Sequence, residues 1–142
     1  MIVIDTTVLV YAVGTAHPYR DSCRSLVEAV RAGAVRATTT VEVIQEFAHV
    51  RARRRGRADA HKLAGAYAEL LGPLRTTSEA HLRSGLDLWM RHEELGAFDA
   101  VLAAVAQDIG ARALVSSDRA FGGLDGVSHV LPDEAGVTQL LS

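Results

Sequence analysis

Met1-Ile2-Val3-Ile4-Asp5-Thr6-Thr7 reads as a short apolar strand that ends on a carboxylate and two hydroxyls. Near the other end of the chain, Ala113-Leu114-Val115-Ser116 repeats the pattern and delivers Ser116, Ser117 and Asp118. In an open α/β sheet, ligands bind in the crevice outside the carboxyl ends of the strands. Two parallel central strands would therefore bring Asp5 and Asp118 together. Like charges held in a crevice repel, and such a pairing is retained mainly where a cation or a proton offsets the repulsion. The two strand ends thus point to a metal-dependent enzyme.

The elements between them alternate. Val8 to Val13 has helical spacing, and Pro18 opens a second helix through Leu26, Val27 and Val30 that Gly33 closes. Val35 to Thr38 reads as a strand. Thr39, Thr40 and Glu42 start a helix with Val43, Ile44, Phe47 and Val50 on its apolar stripe, until Gly56. Another helix spans about 58–71, Gly72-Pro73 turns the chain, and Leu74 to Thr76 reads as a third strand. Ser78 caps a helix carrying Leu82, Leu86, Leu88 and Trp89, which Gly96 breaks. Phe98 to Ile109 is nearly all apolar and is expected to be buried. The strand from Ala113 is then the fourth, Ser128 to Leu131 a fifth, with a short helix after Pro132. Strands separated by helices imply crossovers and a parallel sheet covered on both faces. No repeat, low-complexity tract or linker divides residues 1–142, which are expected to form one domain.

Composition excludes several classes. At 49% hydrophobic and 23% charged residues the chain is an ordinary globular one, and no apolar run approaches the roughly 18 residues of a membrane span. The opening apolar run is too short for a signal peptide, so the protein is expected to be cytoplasmic. Cys23 stands alone and reads as a small buried apolar residue. The net charge of −2 is uninformative, but Arg51, Arg53, Arg54, Arg55 and Arg57 follow one another with no acid among them. Such a run attracts phosphates. It also suits a solvated helix end, where cations complement the macrodipole.

Asp99 opens the apolar helix after Gly96-Ala97-Phe98. It is either a first-turn cap or, at the end of a buried helix, a member of a site. Glu42 and Glu46 lie one turn apart and face the same way. Thr39 and Glu42 stand in the capping-box relation, which occupies Glu42 locally. Glu46 has no such task and can point at Asp5 if its helix packs beside the first strand. Asp5, Glu46, Asp99 and Asp118, supported by the hydroxyls of Thr6 and Ser116, make an oxygen-only set that suits Mg²⁺ or Mn²⁺. Zinc is a poor fit, since the six histidines are scattered and no HExxH or paired-Cys spacing occurs. Hard cations of this kind activate water and stabilise a leaving oxygen in phosphodiester cleavage.

Asp5-Thr6-Thr7-Val8-Leu9, Ile44-Gln45-Glu46-Phe47, Phe98-Asp99-Ala100-Val101-Leu102-Ala103-Ala104 and Leu114-Val115-Ser116-Ser117-Asp118-Arg119-Ala120-Phe121 resemble, in order, the motifs of PIN domains. The resemblance is nearest to VapC-type toxins. It implies a three-layer α/β/α fold with a short parallel central sheet, a homodimer, Mg²⁺-dependent endoribonuclease activity on RNA, and inhibition by a VapB-type antitoxin. Carried over by position, Asp5, Glu46, Asp99 and Asp118 are the acidic cluster, Asp5, Asp99 and Asp118 its metal ligands, and Thr6, Thr7 and Ser116 its support. Ser116 stands where the family often has Thr or Asn, and Glu42 is the alternative to Glu46. The arginine run would meet RNA or antitoxin.

Two rivals share the strand-end acids. A receiver-like Mg²⁺-binding signalling domain needs an acidic pair near the first strand and a lysine after the last central strand. Here Asp5 is alone, and Lys62, the only lysine, lies in a helix. A haloacid-type phosphohydrolase needs a second Asp two positions after the first, where this chain has Thr7. A PIN domain that binds RNA without cutting it is opposed by the four intact acids.

Overall fold

The computed structural model describes residues 1–142. In chain order its elements are β1 (Ile2–Ile4), α1 (Thr6–Val13), α2 (Arg20–Arg31), β2 (Ala37–Thr38), α3 (Val41–Arg55), α4 (Arg57–Leu71), α5 (Glu79–Arg91), α6 (Ala97–Asp108), β3 (Ala113–Val115), β4 (His129–Val130) and α7 (Glu134–Leu141), with a single 3-10 turn at Arg119–Phe121. The four strands are parallel in the order β2-β1-β3-β4. Every residue of β1 and β3 is buried, as befits central strands covered on both faces. The chain crosses from β1 to β2 in one direction and then returns past β1 to β3. Right-handed crossovers place the connecting helices of these two steps on opposite faces, giving an α/β/α arrangement. The reversal opens a crevice between the carboxyl ends of β1 and β3.

Helix pairs close over this sheet. α3 packs on α4, α5 on α6, α1 on α2 and α3, and α2 on α7. The Phe47 and Tyr67 rings meet edge to face at 5.0 Å, and the Tyr67 hydroxyl donates to Leu9 O at 3.2 Å, so α3 and α4 hold α1 in place. Burial raises the Tyr67 hydroxyl to a pKa of about 12 and the Cys23 thiol likewise to about 12. Cys23 is thus the inert apolar residue the sequence suggested. No helix is long and apolar enough to cross a membrane.

Several local expectations are corrected. Residues 74–76 form no strand: a single parallel bridge joins Thr40 to Arg75, because α3 begins at Val41 and leaves too little extended chain to pair. The sheet therefore has four strands. The capping box expected of Thr39 and Glu42 is absent. Thr40 is the cap and accepts from Val43 N at 3.3 Å, while the buried Thr39 hydroxyl donates to Ile4 O at 2.6 Å. Glu42, exposed, accepts from the Thr77 hydroxyl at 3.0 Å. The helix before Gly96 already stops at Arg91, and Gly96 starts the next one. Phe98 is 85% exposed, because the first turn of α6 projects past its neighbours and full burial begins at Ala100.

One glycine sets the distance between α5 and the acid-bearing α6. A Cβ on Gly85 would sit 2.8 Å from Val101 Cα and 2.9 Å from Val101 N, backbone that cannot step aside without moving the helix. Gly65, inside α4, has open space around it. Gly85→Ala should therefore destabilise the protein by ~1–3 kcal/mol through overpacking. Gly65→Ala should stabilise it by ~0.5–1 kcal/mol through helix propensity. Urea denaturation of both variants checks the opposite signs.

Candidate active site and metal centre

β1 pairs with β3 so that Ile4 lies opposite Val115, and Asp5 N donates to Val115 O at 3.0 Å. This register sets Asp5 against Ser116 at the crevice. Ser116 Oγ donates to Asp5 Oδ2 at 2.7 Å, and Thr7 Oγ1 donates to the same oxygen at 3.1 Å. Both hydroxyls fall on one oxygen, and Asp5 Oδ1 is free of protein donors. The site loop is tied to the same atoms: Asp118 N donates to Ser116 Oγ at 3.0 Å and Ser117 N to Thr7 Oγ1 at 3.1 Å. Asp118 Oδ1 accepts from Ala120 N at 2.9 Å and caps the 3-10 turn, while its side chain reaches solvent.

Glu46 arrives from α3. Thr6 Oγ1 donates to Glu46 Oε2 at 3.1 Å, so the residue after Asp5 holds the glutamate beside the crevice. Glu42, one turn earlier, is engaged with Thr77 instead. Asp99 arrives from α6. Asp99 lies in the first turn of that helix, where its charge complements the dipole, and its carboxyl accepts no backbone amide there. Its carboxyl is pushed up to a pKa of about 7, first by burial and then by the charges of Asp5, Asp118 and Glu46. Asp99 thus feels the charges of Asp5, Glu46 and Asp118, acids drawn from three other segments. The structure brings these four together with Thr6, Thr7 and Ser116. It leaves Glu42 outside.

The donor chemistry fits a hard divalent cation. The side chains offer oxygen only, and none of the ion pairs in the molecule involves any of the four acids, so no Lys or Arg neutralises them. No three or more acidic, histidine or cysteine side chains already stand at the spacing that encloses an ion. The acids form an open crevice rather than a closed cage.

The arginine run divides. Arg51 is largely buried, its side chain 14% exposed, with Nε paired to Asp59 Oδ1 at 2.5 Å and Nη1 donating to Val13 O at 3.1 Å. It ties the end of α3 to α4 and α1, and its guanidinium holds the Asp59 carboxyl below the usual carboxylate range. Gly56, at φ +87°, lets the chain reverse between α3 and α4. Arg53, Arg54, Arg55 and Arg57 remain exposed. Leu82, Leu86, Trp89 and Met90 of α5 and Phe98 of α6 are exposed as well, an apolar strip that begins one residue from Asp99. Thr39, whose buried hydroxyl holds the end of β1, is a site support that the sequence did not reveal. Nothing in a Thr-Thr-Thr run distinguishes the one that caps from the one that braces.

The PIN domain profile matches residues 2–127. The chain is 54% identical over 142 residues to the protein named ribonuclease VapC7 of Mycobacterium tuberculosis, covering 99% of this chain and 98% of that one. It is 30% identical over 134 residues to ribonuclease VapC13 of the same organism, covering 92% and 99%. Among solved structures, it superposes on the sarcin-ricin loop cleaving toxin VapC20 of M. tuberculosis with a TM-score of 0.71 at 16% identity, over 89% of this chain and 98% of that one. VapBC2 of Rickettsia felis, solved with a DNA fragment from its promoter, gives 0.69 at 19% identity over 92% and 98%.

The Asp99 shift has a measurable sign. Its folded pKa, about 7, lies above the ordinary value of 3.8. The protonated carboxyl favours the fold, so this contribution is full below pH ~4 and is lost as pH rises through ~7. Solvent screens this half-buried carboxyl, so the loss is about 1–2 kcal/mol, less than the roughly 1.4 kcal/mol per pKa unit of an unscreened group. In EDTA, Asp99→Asn should therefore gain stability relative to the parent as pH is raised from ~4 to ~8. Thermal unfolding of both proteins across that range checks it, and a constant difference would contradict the electrostatic account.

Proposed function

The chain belongs to the PIN domain family, and we propose that it is an Mg²⁺-dependent endoribonuclease, the toxin of a VapBC-type toxin–antitoxin module. The observation that carries this reading is the convergence of four carboxylates, free of any protein cation, at the carboxyl ends of β1 and β3. The ribonuclease names of its relatives agree with it. Residues 1–142 work as one PIN domain, as a homodimer, with RNA as substrate and a VapB-type antitoxin as partner. The exposed strip of Leu82, Leu86, Trp89, Met90 and Phe98 is apolar surface of the kind that partner chains cover. Mn²⁺ replaces Mg²⁺, since both take oxygen ligands.

Asp5, Asp99 and Asp118 would hold the cation, with Asp5 Oδ1 the oxygen left open for it. When bound, the cation supplies Lewis acidity: it lowers the pKa of water and offsets charge on the phosphate. The protein's own groups do the rest. Ser116 and Thr7 hold Asp5 at one rotamer through Oδ2, so its open oxygen faces the crevice without further ordering cost. Glu46, steadied by Thr6, takes the proton of the attacking water as oxygen adds to phosphorus and the phosphodiester P–O bond breaks, the leaving oxygen taking a proton from solvent. Arg53, Arg54, Arg55 and Arg57 attract the RNA backbone, while Arg51 serves the fold.

Incubating the protein with labelled RNA and Mg²⁺, Mn²⁺ or EDTA tests the activity. Cleavage should require a divalent cation, and Asp5→Asn should abolish it while the far-UV spectrum stays that of the parent. Glu46→Gln should lower the rate ~100-fold or more, the scale of a missing general base, and Glu42→Gln should leave it within about twofold. The reverse pattern would assign the helix acid to Glu42.

Replacing Arg53, Arg54, Arg55 and Arg57 by Ala should weaken RNA binding for every sequence. It should also flatten the slope of log K against log salt by ~0.7 for each phosphate that the variant no longer neutralises. Titrations at several salt concentrations measure this. An unchanged slope together with loss of antitoxin binding would give the run to the antitoxin.

A further inference from the structure

His129 lies outside the acid cluster, on β4, yet the backbone makes a particular demand of it. β3 and β4 pair with Leu114 opposite His129 and Val115 opposite Val130, and Ser116 N donates to Val130 O at 3.1 Å. In a parallel ladder the next rung would run from the N–H of residue 132 to the Ser116 carbonyl. Residue 132 is Pro132, buried and without an N–H. The carbonyl of a fully buried residue would be left without its partner, at a cost that folded proteins avoid. His129 Nε2 fills the gap, 2.8 Å from Ser116 O. A carbonyl only accepts, so Nε2 carries the proton in this contact.

The ring is braced on its other side too. It lies against Phe121, with centroids 6.0 Å apart, and its Nδ1 side faces Gly122, where a Cβ would come within 3.7 Å. His129 therefore touches the loop on both sides of Asp118: the Ser116 carbonyl before it, and the end of the capped 3-10 turn after it. The Ser116 hydroxyl in turn donates to Asp5 Oδ2 and accepts from Asp118 N. We propose that His129 is a positioning residue: its Nε2–H replaces the ladder rung that Pro132 cannot make and so fixes the Ser116–Asp118 segment that orients both aspartates. The proposal rests on the reading of these acids as catalytic.

The full-length His129→Leu variant removes the donor, and His129→Gln keeps an N–H on a side chain of similar reach. His129→Leu should lower kcat ~10-fold or more, the scale of groups that orient site residues, with KM for RNA unchanged, and His129→Gln should recover most of the loss. In metal-free protein, hydrogen exchange at the Asp118 amide should quicken in His129→Leu and return towards the parent in His129→Gln, with β1 amides unmoved. Nitrogen NMR of the parent ring should show Nε2 protonated. Parental kcat and parental Asp118 exchange in His129→Leu would overturn the proposal. So would a His129→Gln variant as impaired as His129→Leu, or exchange that quickens across the whole sheet. Asp5→Asn measured alongside separates the two claims: if it still cuts RNA, the catalytic reading falls, while exchange at Asp118 still decides the brace.

Discussion

Ser116 Oγ donates to Asp5 Oδ2 across 111 positions of sequence, and this contact exists only because β1 and β3 pair in parallel with Ile4 opposite Val115. A slip of one residue would turn Asp5 to the other face of the sheet. Each further bond at the site is built on that register. Thr7 reaches the same carboxylate oxygen and takes the Ser117 amide, Asp118 hangs its own amide on Ser116, and Thr6 extends the chain of contacts to Glu46. The crevice is thus a consequence of strand order. The chain reverses its crossover direction at β1, and the ends of β1 and β3 are where connecting loops part and leave room.

Holding four acids there is unfavourable, and the protein does nothing with its own cations to relieve it. Fourteen arginines are available, and those that form ion pairs do so elsewhere. The strain is expressed at Asp99, whose carboxyl is raised by burial and by its three acidic neighbours. Structure that opposes stability at one place is a common mark of a functional site, where neighbouring packing holds in place what local preference would not. Here the support is plain: Asp99 leaves the first turn of α6, whose body is packed in the core from Ala100, and α5 is kept close to it by Gly85.

The surfaces around the crevice divide their tasks in a way that charge alone would not reveal. Arg51 shares a run with four other arginines but is a structural clamp between three helices, because Asp59 and the Val13 carbonyl stand within its reach. Its neighbours point to solvent and remain available to a polyanion or an acidic partner. The exposed leucines of α5, with Trp89, Met90 and Phe98, break the rule that helices turn their apolar face inward. Gly85 and Leu88 take the inward positions instead, and at Gly85 α5 approaches α6 too closely for any side chain.

Much of this was legible in the linear chain. Short apolar runs that end on Asp5 and Ser116, separated by helical periodicity, dictate a parallel sheet with its site at the strand ends, because hydrophobic pattern and turn residues act locally. The acids and hydroxyls at those strand ends pointed to a hard cation, since the six histidines are scattered along the chain. What tertiary structure decided were matters of who meets whom. Whether residues 74–76 pair as a strand depended on where α3 begins, and whether Thr39 or Thr40 caps depended on the Ile4 carbonyl behind it. Glu46 rather than Glu42 reaches Thr6 because α3 packs against α1 at that turn. In the linear chain His129 is one of six scattered histidines with nothing to set it apart. Its role follows from a missing rung at Pro132, and a missing rung is visible only once two strands are placed side by side, because hydrogen bonds between distant segments are set by register and not by local sequence.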